Sequence, residues 1–549
     1  MATHCLFFPT PNFCRRSITH RSAFSSRSIF FGASLKVHTN RNQLGRFSRS
    51  PTPIYCSSQE FDVVIVGAGI IGLTIARQFL TSSDLSVAIV DKALPCSGAT
   101  GAGQGYLWMA HKTPGSDIWD LTWRSHQLWK MLAESLKEQG LNPTVELGWK
   151  KTGSLLVGRT KAQLDMLKGR VKQLNEAGLK AEYLCNSDLS ELEPDLFVDK
   201  DSAGAFLPDD CQLDAYLTVS YIEKVNRSFA SKGRYAEFYN EPVKRFIRSN
   251  SNGEVKAIET LSHTLHSKKG IIVAAGCWTG CLIQDSFRNW GMELDVPVRP
   301  RKGHLLVLQN FDYLQLNHGL MEAGYVDHPT LSDIESSEDG RSLSVSMTAT
   351  VDAAGNLLIG MLPFYNLHEF VLILPIYTLN FDVVCLFCDN KPKSYPIRYQ
   401  GSSREFVGFS TELDESVVRY IWKRVAEFFP KLELLSLSDL SANRKVRIGL
   451  RPYMPDGKPM IGPVPGLSNV YLAAGHEGGG LSMGHWRQDF IVLFLSLSHA
   501  TTEQDIDKFI FVPVSDIFAL GTAEMVADTV LGHPTKVDCA PFAVHRVLD

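Results

Sequence analysis

Hydrophobic positions along the chain fall into two alternating rhythms. Phe61–Gly67 (FDVVIVG) is a short, unbroken apolar run rich in valine, too short for a helix, and it reads as a strand buried on both faces. Ile70–Leu80 follows with helical character, and Leu85–Asp91 (LSVAIVD) is a second buried strand. The three make a β–α–β unit of about 30 residues. Further on, Ile118, Leu121, Thr122, Ser125, Leu128, Trp129 and Leu132 recur at helical spacing, with Ser116 as the expected N-cap. Trp119, Trp123 and Trp129 in this stretch are read as core packing. A strand over Ser154–Val157, an amphipathic helix over Lys161–Ala177 and a helix over Asn186–Asp195 come next. Lys268–Trp278 reads as a strand and turn, His304–Gln309 as a strand, and Met347–Gly360 as a hairpin with Ala354-Gly355-Asn356 at its tip.

Two apolar stretches break the rhythm, Met361–Gln400 and Gly484–Phe518. Neither reads as a membrane span: Pro375, Asn380 and Asp382 interrupt the first, and Ile491–Leu495 is too short in the second. Composition changes the picture little. With 549 residues, 44% hydrophobic and 21% charged, the chain is ordinary globular material. A net charge of −3 gives no electrostatic footprint for nucleic acid, so a small-molecule partner is expected. The eleven cysteines show no paired metal-ligand spacing, and Cys385 and Cys388 form a lone C-x-x-C, so no metal site is expected. The first 58 residues differ: Arg15, Arg16, Arg21, Arg27, Arg41, Arg46 and Arg49 stand among many serines, with no acid before Glu60. That composition is expected of a disordered organellar transit peptide, for the chloroplast or alternatively the mitochondrion.

The chemistry starts at Gly67, Gly69 and Gly72, a G-x-G-x-x-G between a strand and a helix. Gly67 makes the tight turn, Gly69 lets a pyrophosphate approach the backbone, and Gly72 lets helix and strand pack closely. The N–H groups around Ala68, Ile70 and Ile71 then face the phosphates with the positive end of the helix dipole. Asp91, 19 residues after Gly72, is placed to accept hydrogen bonds from a ribose hydroxyl, which disfavours NADP and leaves NAD and FAD. A second small-residue run, Ser97–Gly105 (SGATGAGQG), can lie beside a pyrophosphate or a flavin ring and points to FAD.

These motifs, taken in order, resemble the FAD-dependent oxidases of the D-amino-acid oxidase, glycine oxidase and sarcosine oxidase type. The resemblance rests on VVIVGAGIIGL (Val63–Leu73), SGATGAGQG, VAAGCWT (Val273–Thr279), RPRKGHLL (Arg299–Leu306), GLRPYMPDGKPMIGPVPG (Gly449–Gly466) and YLAAGHEGGGLSM (Tyr471–Met483). It implies an α/β fold: a Rossmann-like FAD domain built from non-contiguous segments (about 59–135, 200–285 and 445–549) and an antiparallel-sheet substrate domain (about 140–200 and 290–445). It implies FAD contacts from Lys92, from Ser97, Ala99, Thr100, Gly101, Gly103, Gln104 and Gly105, from Ala275, Gly276 and Trp278, and from Gly475, His476, Gly478, Gly479, Gly480 and Leu481. Arg451 matches the arginine that holds a substrate carboxylate, a task suited to a planar, permanently charged fork. Lys302, His476 and Tyr325 are further expected at the reacting centre.

The implied reaction is oxidation of the C–N bond of a small amino acid or secondary amine next to its carboxylate, by hydride transfer to FAD, with oxygen or another acceptor taking the electrons. A 2-hydroxy-acid dehydrogenase feeding a quinone or carrier, and a form that binds flavin poorly, are the alternatives. The stretches 361–400 and 484–518 intrude on this pattern, and their flanks rejoin cleanly when they are removed, as expected of translated intervening sequence. The chain as written is expected to retain FAD poorly, and a version lacking both stretches to be active. Equal flavin retention by the two purified forms would contradict this.

Overall fold

In the computed structural model the described residues are 57–249, 253–292, 294–325, 345–363, 408–477 and 518–547. The strand Ser57–Val66 buries Val63, Val64, Ile65 and Val66, as an apolar run covered on both faces should. It runs parallel to His263–Val273 on one side and to Val87–Val90 on the other. The helix Ile70–Ser82 makes the crossover between the first two strands. Val470–Ala474 and Tyr235–Phe238 extend the parallel order outward, Met460–Pro463 closes one edge antiparallel, and Arg245–Arg248 and Val255–Glu259 fold back on His263–Val273.

A second eight-stranded sheet runs Arg444–Tyr453, Arg299–Leu308, Leu357–Pro363, Val345–Val351, Gly319–Glu322, Ser154–Gly158, Ala203–Leu207 and Glu182–Leu184. It is antiparallel except where Gly319–Glu322 pairs with Ser154–Gly158. Alternation along Arg299–Leu308 separates its side chains by face. Leu306 and Leu308 pack with Val417, Val418 and Ile421 of the amphipathic helix Glu415–Ala426, whereas Leu305 and Val307 pack with Leu358 on the opposite face.

The expected mixed architecture is present, and several boundaries move. Ala203–Leu207 and Arg444–Tyr453, expected in the flavin part, are strands of the second sheet, because their ladders are with Ser154–Gly158 and Arg299–Leu308. Ser116 does not cap a helix: its hydroxyl donates to Thr113 O, and the helix begins at Trp119. The hairpin forms as expected, with Gly355 at φ +80° and the Asp352 carboxylate accepting from Ala354 N and Asn356 N. Most of both intrusive stretches, and Cys385 and Cys388, lie outside the described residues. Met361–Pro363 continue the Leu357–Pro363 strand, and Phe518 is the fully buried first residue of the helix Phe518–Leu531. No described helix is long and apolar enough to cross a membrane.

Polar contacts fix the seam between the sheets. Thr348 Oγ1 donates to Gln104 Oε1 at 3.0 Å, Thr350 Oγ1 to Gln212 Oε1 at 3.1 Å, and Gln212 Nε2 to Gln104 O at 2.9 Å. Beside them, Asp210 Oδ2 accepts from Met109 N (2.9 Å), Ala110 N (3.3 Å) and Ser154 Oγ (2.5 Å). One carboxylate oxygen thus ties the segment after the second glycine run to the second sheet. Burial pushes the Asp210 carboxyl up to about 7 against the opposing pull of these hydrogen bonds and of Lys130. The folded chain therefore holds this proton more tightly than the unfolded chain, whose carboxyl titrates near 3.8. The resulting stabilisation is full below about pH 4 and is lost as pH rises through about 7. Asp210→Asn is expected to gain stability relative to the parent chain between pH 5 and pH 8, by about 2–3 kcal/mol. Denaturant titrations at both pH values check this, and a difference independent of pH would refute it.

Candidate cofactor and substrate site

The site is built where the carboxyl ends of the parallel strands meet the second sheet. Gly67 has φ +116°, and a Cβ there would lie 2.3 Å from Ala274 O. A Cβ at Gly72 would lie 1.9 Å from Gly67 O. Both glycines are therefore forced by the approach of other backbone. Gly69 differs: its φ of −74° suits any residue, and a Cβ would meet only Thr100 Oγ1, at 3.3 Å. It is the N-cap of Ile70–Ser82 and supplies no side-chain cap. Thr100 Oγ1 accepts from Ile70 N at 3.2 Å, and the helix's own ladder starts with Leu73 N to Gly69 O. A phosphate oxygen fits beside Thr100 Oγ1 at this end, where Gly69 presents no side chain of its own to the first-turn N–H groups.

Asp91, expected to meet a ribose hydroxyl, is seen bracing the phosphate-side turn. Its Oδ2 accepts from Ala68 N at 2.7 Å and its Oδ1 from Ala93 N at 2.8 Å, so it braces the turn. Each oxygen keeps a second lone pair, which leaves room for a ribose hydroxyl. Burial raises its carboxyl above the ordinary range, opposed by the two backbone donors.

The run Ser97–Gly105 lies between the two sheets. A Cβ at Gly101 would lie 2.1 Å from Cys96 O, and one at Gly105 (φ +82°) 2.0 Å from Leu213 O. Gly449 of the second sheet sits so near that its Cβ would be 2.6 Å from Ala102 Cβ and 3.4 Å from Ala99 Cα. Gly103 O accepts from Arg447 Nη1 at 3.5 Å. The Gln104 side chain is committed to the seam, and Ser97 is exposed. Ala275 abuts the first turn, its N lying 3.2 Å from the Gly67 Cβ position, and Gly276 follows at φ +55°. Lys92 and Trp278 meet each other: Nζ lies 3.4 Å from the ring centroid, and Trp278 also stacks on Phe409. The third expected segment is described only to Glu477; Gly478, Gly479, Gly480 and Leu481 lie outside the described residues. Gly475 has φ +75° and approaches Met454. His476 is buried, with Nε2 3.1 Å from Thr522 Oγ1 of the helix Phe518–Leu531. Burial pushes its imidazole down to about 3, so at neutral pH it offers a hydrogen bond and no charge.

Arg451 is 4% exposed, and its guanidinium lies across Gly303, whose Cβ position would be 2.0 Å from Nη2. Directly opposite Arg451 in the antiparallel register stands Arg301, also buried. Arg301 Nη1 pairs with the buried Glu477 at 2.8 Å, and its guanidinium stacks 4.7 Å from the Tyr453 ring centroid. Sequence reasoning passed over Arg301 and Glu477. The strand's two-residue period carried the signal for the first, since Arg301 shares a face with Gly303 and Lys302 does not. The structure does not bring Lys302 to Arg451: Lys302 Nζ donates to Glu412 O on the other face, beside His304, which accepts from Asp414 N. Burial pushes His304 down to about 4. Tyr325 ends the short turn Ala323–Tyr325 after Gly319–Glu322, a strand separated from Arg444–Tyr453 by three others. Among the described residues no cluster of His, Cys, Asp or Glu is placed to hold a metal.

Residues 62–486 match the family described as DAO, FAD dependent oxidoreductase. The chain belongs to this family. Its cofactor is accordingly FAD, and the glycine-led helix end and small-residue run fit that group. The chain is 26% identical over 254 residues to a glycine oxidase of Geobacillus kaustophilus (strain HTA426), covering 46% of this chain and 62% of that protein. It is 23% identical over 466 residues to the mitochondrial dimethylglycine dehydrogenase of Homo sapiens, covering 82% of this chain and 45% of that protein. Both matches span less than two thirds of the relative's length. Among solved structures, glycine oxidase from Geobacillus kaustophilus superposes with a TM-score of 0.60 at 19% identity, covering 88% of this chain and 98% of that one. L-proline dehydrogenase from P. horikoshii gives 0.61 at 16% identity, covering 89% and 98%. At these identities the likeness is one of fold.

The three glycines predict different mutant behaviour. Gly69→Ala is expected to leave unfolding stability within about 1 kcal/mol of the parent, the usual helix-end scale, and to weaken FAD binding at least about tenfold by crowding the pyrophosphate. Gly67→Ala is expected to destabilise the fold itself. Apoprotein melts and flavin titrations separate the two, and unchanged FAD affinity in Gly69→Ala would refute the assignment.

Proposed function

We propose that this protein oxidises the C–N bond of a small amino acid or secondary amine next to its carboxylate. The observation that carries the reading is Arg451, a buried arginine on the face of the second sheet that meets Ala99 and Ala102 of the flavin-side loop. FAD, when bound, supplies the hydride acceptor. Arg451 takes the substrate carboxylate in a bidentate fork and fixes the orientation of the adjacent carbon. Burial strengthens that pairing by excluding water. His476 contributes no positive charge; its hydrogen bond to Thr522 ties the end of Val470–Ala474 to the C-terminal helix. An amine entering uncharged asks no base of the protein, and none is assigned.

Oxygen is the simplest acceptor. The rival, electron transfer to a quinone or carrier, draws support from relatives named dehydrogenases alongside those named oxidases. An anaerobic flavin-bleaching screen with amino acids, secondary amines and 2-hydroxy acids tests the reading. Bleaching by an amino acid or secondary amine is expected, followed by peroxide when oxygen is admitted. Bleaching by hydroxy acids alone would favour a 2-hydroxy-acid dehydrogenase, and no bleaching at all a non-catalytic flavin binder. Arg451→Lys keeps the charge and loses the fork, and is expected to lower kcat/KM about a hundredfold, ~2.7 kcal/mol of transition-state stabilisation. A change under threefold would remove Arg451 from the site.

A further inference from the structure

Arg301 and Arg451 occupy directly opposed positions on neighbouring antiparallel strands, with their side chains on one face. Opposed residues in such a ladder stand about 5 Å apart at Cα, so two guanidiniums there fall within the reach of one small dicarboxylate. The structure does not leave them equivalent. Arg451 leans toward Gly303, in the direction of the flavin-side loop. Arg301 leans the other way, onto Tyr453, and is neutralised by Glu477. Glu477 reaches it from the far sheet, just beyond Val470–Ala474, and holds a backbone φ of +29°, rare for a side chain other than glycine. Strained backbone of this kind persists only where its surroundings over-determine it, and it concentrates at functional sites.

We propose that the Arg301–Glu477 pair is a specificity gate that confines this site to substrates with a single carboxylate. The inference rests on the reading that Arg451 holds the substrate carboxylate. A second carboxylate, projecting from the amine side of the substrate, would meet a guanidinium already paired and a carboxylate of its own sign. Rejection of the wrong ligand by a fixed like charge is a common means of discrimination. Glu477 thereby also keeps Arg301 from competing with Arg451 for the single carboxylate of the right substrate.

Two measurements on the FAD-loaded protein test this. In the parent chain, acetate and malonate are titrated against the flavin absorbance spectrum. Acetate is expected to bind at least about tenfold more tightly than malonate, and malonate binding as tightly as acetate would overturn the gate. In Glu477→Gln, the ratio of kcat/KM for iminodiacetate to that for N-methylglycine is expected to rise at least about tenfold over the parent ratio, a gain that misfolding cannot mimic. An unchanged ratio in a variant that retains its flavin would overturn the gate while leaving the carboxylate reading intact. A variant that loses its flavin leaves the decision with the parent titration. Acetate affinity unchanged in Arg451→Lys would remove the carboxylate reading and the gate together.

Discussion

The approach of Gly67 to Ala274 is the constraint on which the site depends. The carboxyl end of the first strand and that of His263–Val273 come so close that no side chain fits between them. From that contact the crossover helix is aimed, with Gly72 against Gly67 O and its N-terminal end turned to the expected cofactor position. Asp91 then braces the turn from the neighbouring strand through Ala68 N. Thr100 closes on Ile70 N and brings the second small-residue run over the helix end. Placed there, that run leaves Ala99 and Ala102 against Gly449, two residues from Arg451. A chain of steric and hydrogen-bonded contacts thus leads from one glycine to the arginine proposed to hold the substrate.

Electrostatics in this region is governed by burial. His476 and His304 are kept neutral by loss of solvation, whereas Asp91 and Asp210 hold their protons more firmly than exposed carboxyls do. The permanent charges are guanidiniums, which burial cannot readily neutralise. Fixed charge beside the proposed carboxylate site therefore includes Arg451, Arg301 and Glu477, with His476 as a hydrogen-bonding strut.

The flavin half of the fold was legible because its signals are local. A valine run, three glycines and an acid at fixed spacing lie within one β–α–β unit, and each is explained by a contact inside that unit or next to it. The second sheet was harder to delimit. Ala203–Leu207 and Arg444–Tyr453 belong to it through ladders with distant strands, and strand propensity carries no partner information. Arg451 was found through resemblance, whereas Arg301 and Glu477 acquire meaning only from register and from the meeting of two sheets. Lys302 shows the cost of reading a motif without its pleat: one residue along a strand is the opposite face.

The order of strands in the parallel sheet also bears on how the chain is made. Ser57–Val66 emerges early in synthesis, yet one of its two parallel neighbours is His263–Val273, and the helix that covers Ile70–Ser82 begins at Phe518. At about 5–20 residues per second, roughly 10–40 s separate the first strand from that partner, and longer still from the helix. Through that interval one edge of a valine-rich strand has nothing of its own chain to pair with, a state open to association with other strands.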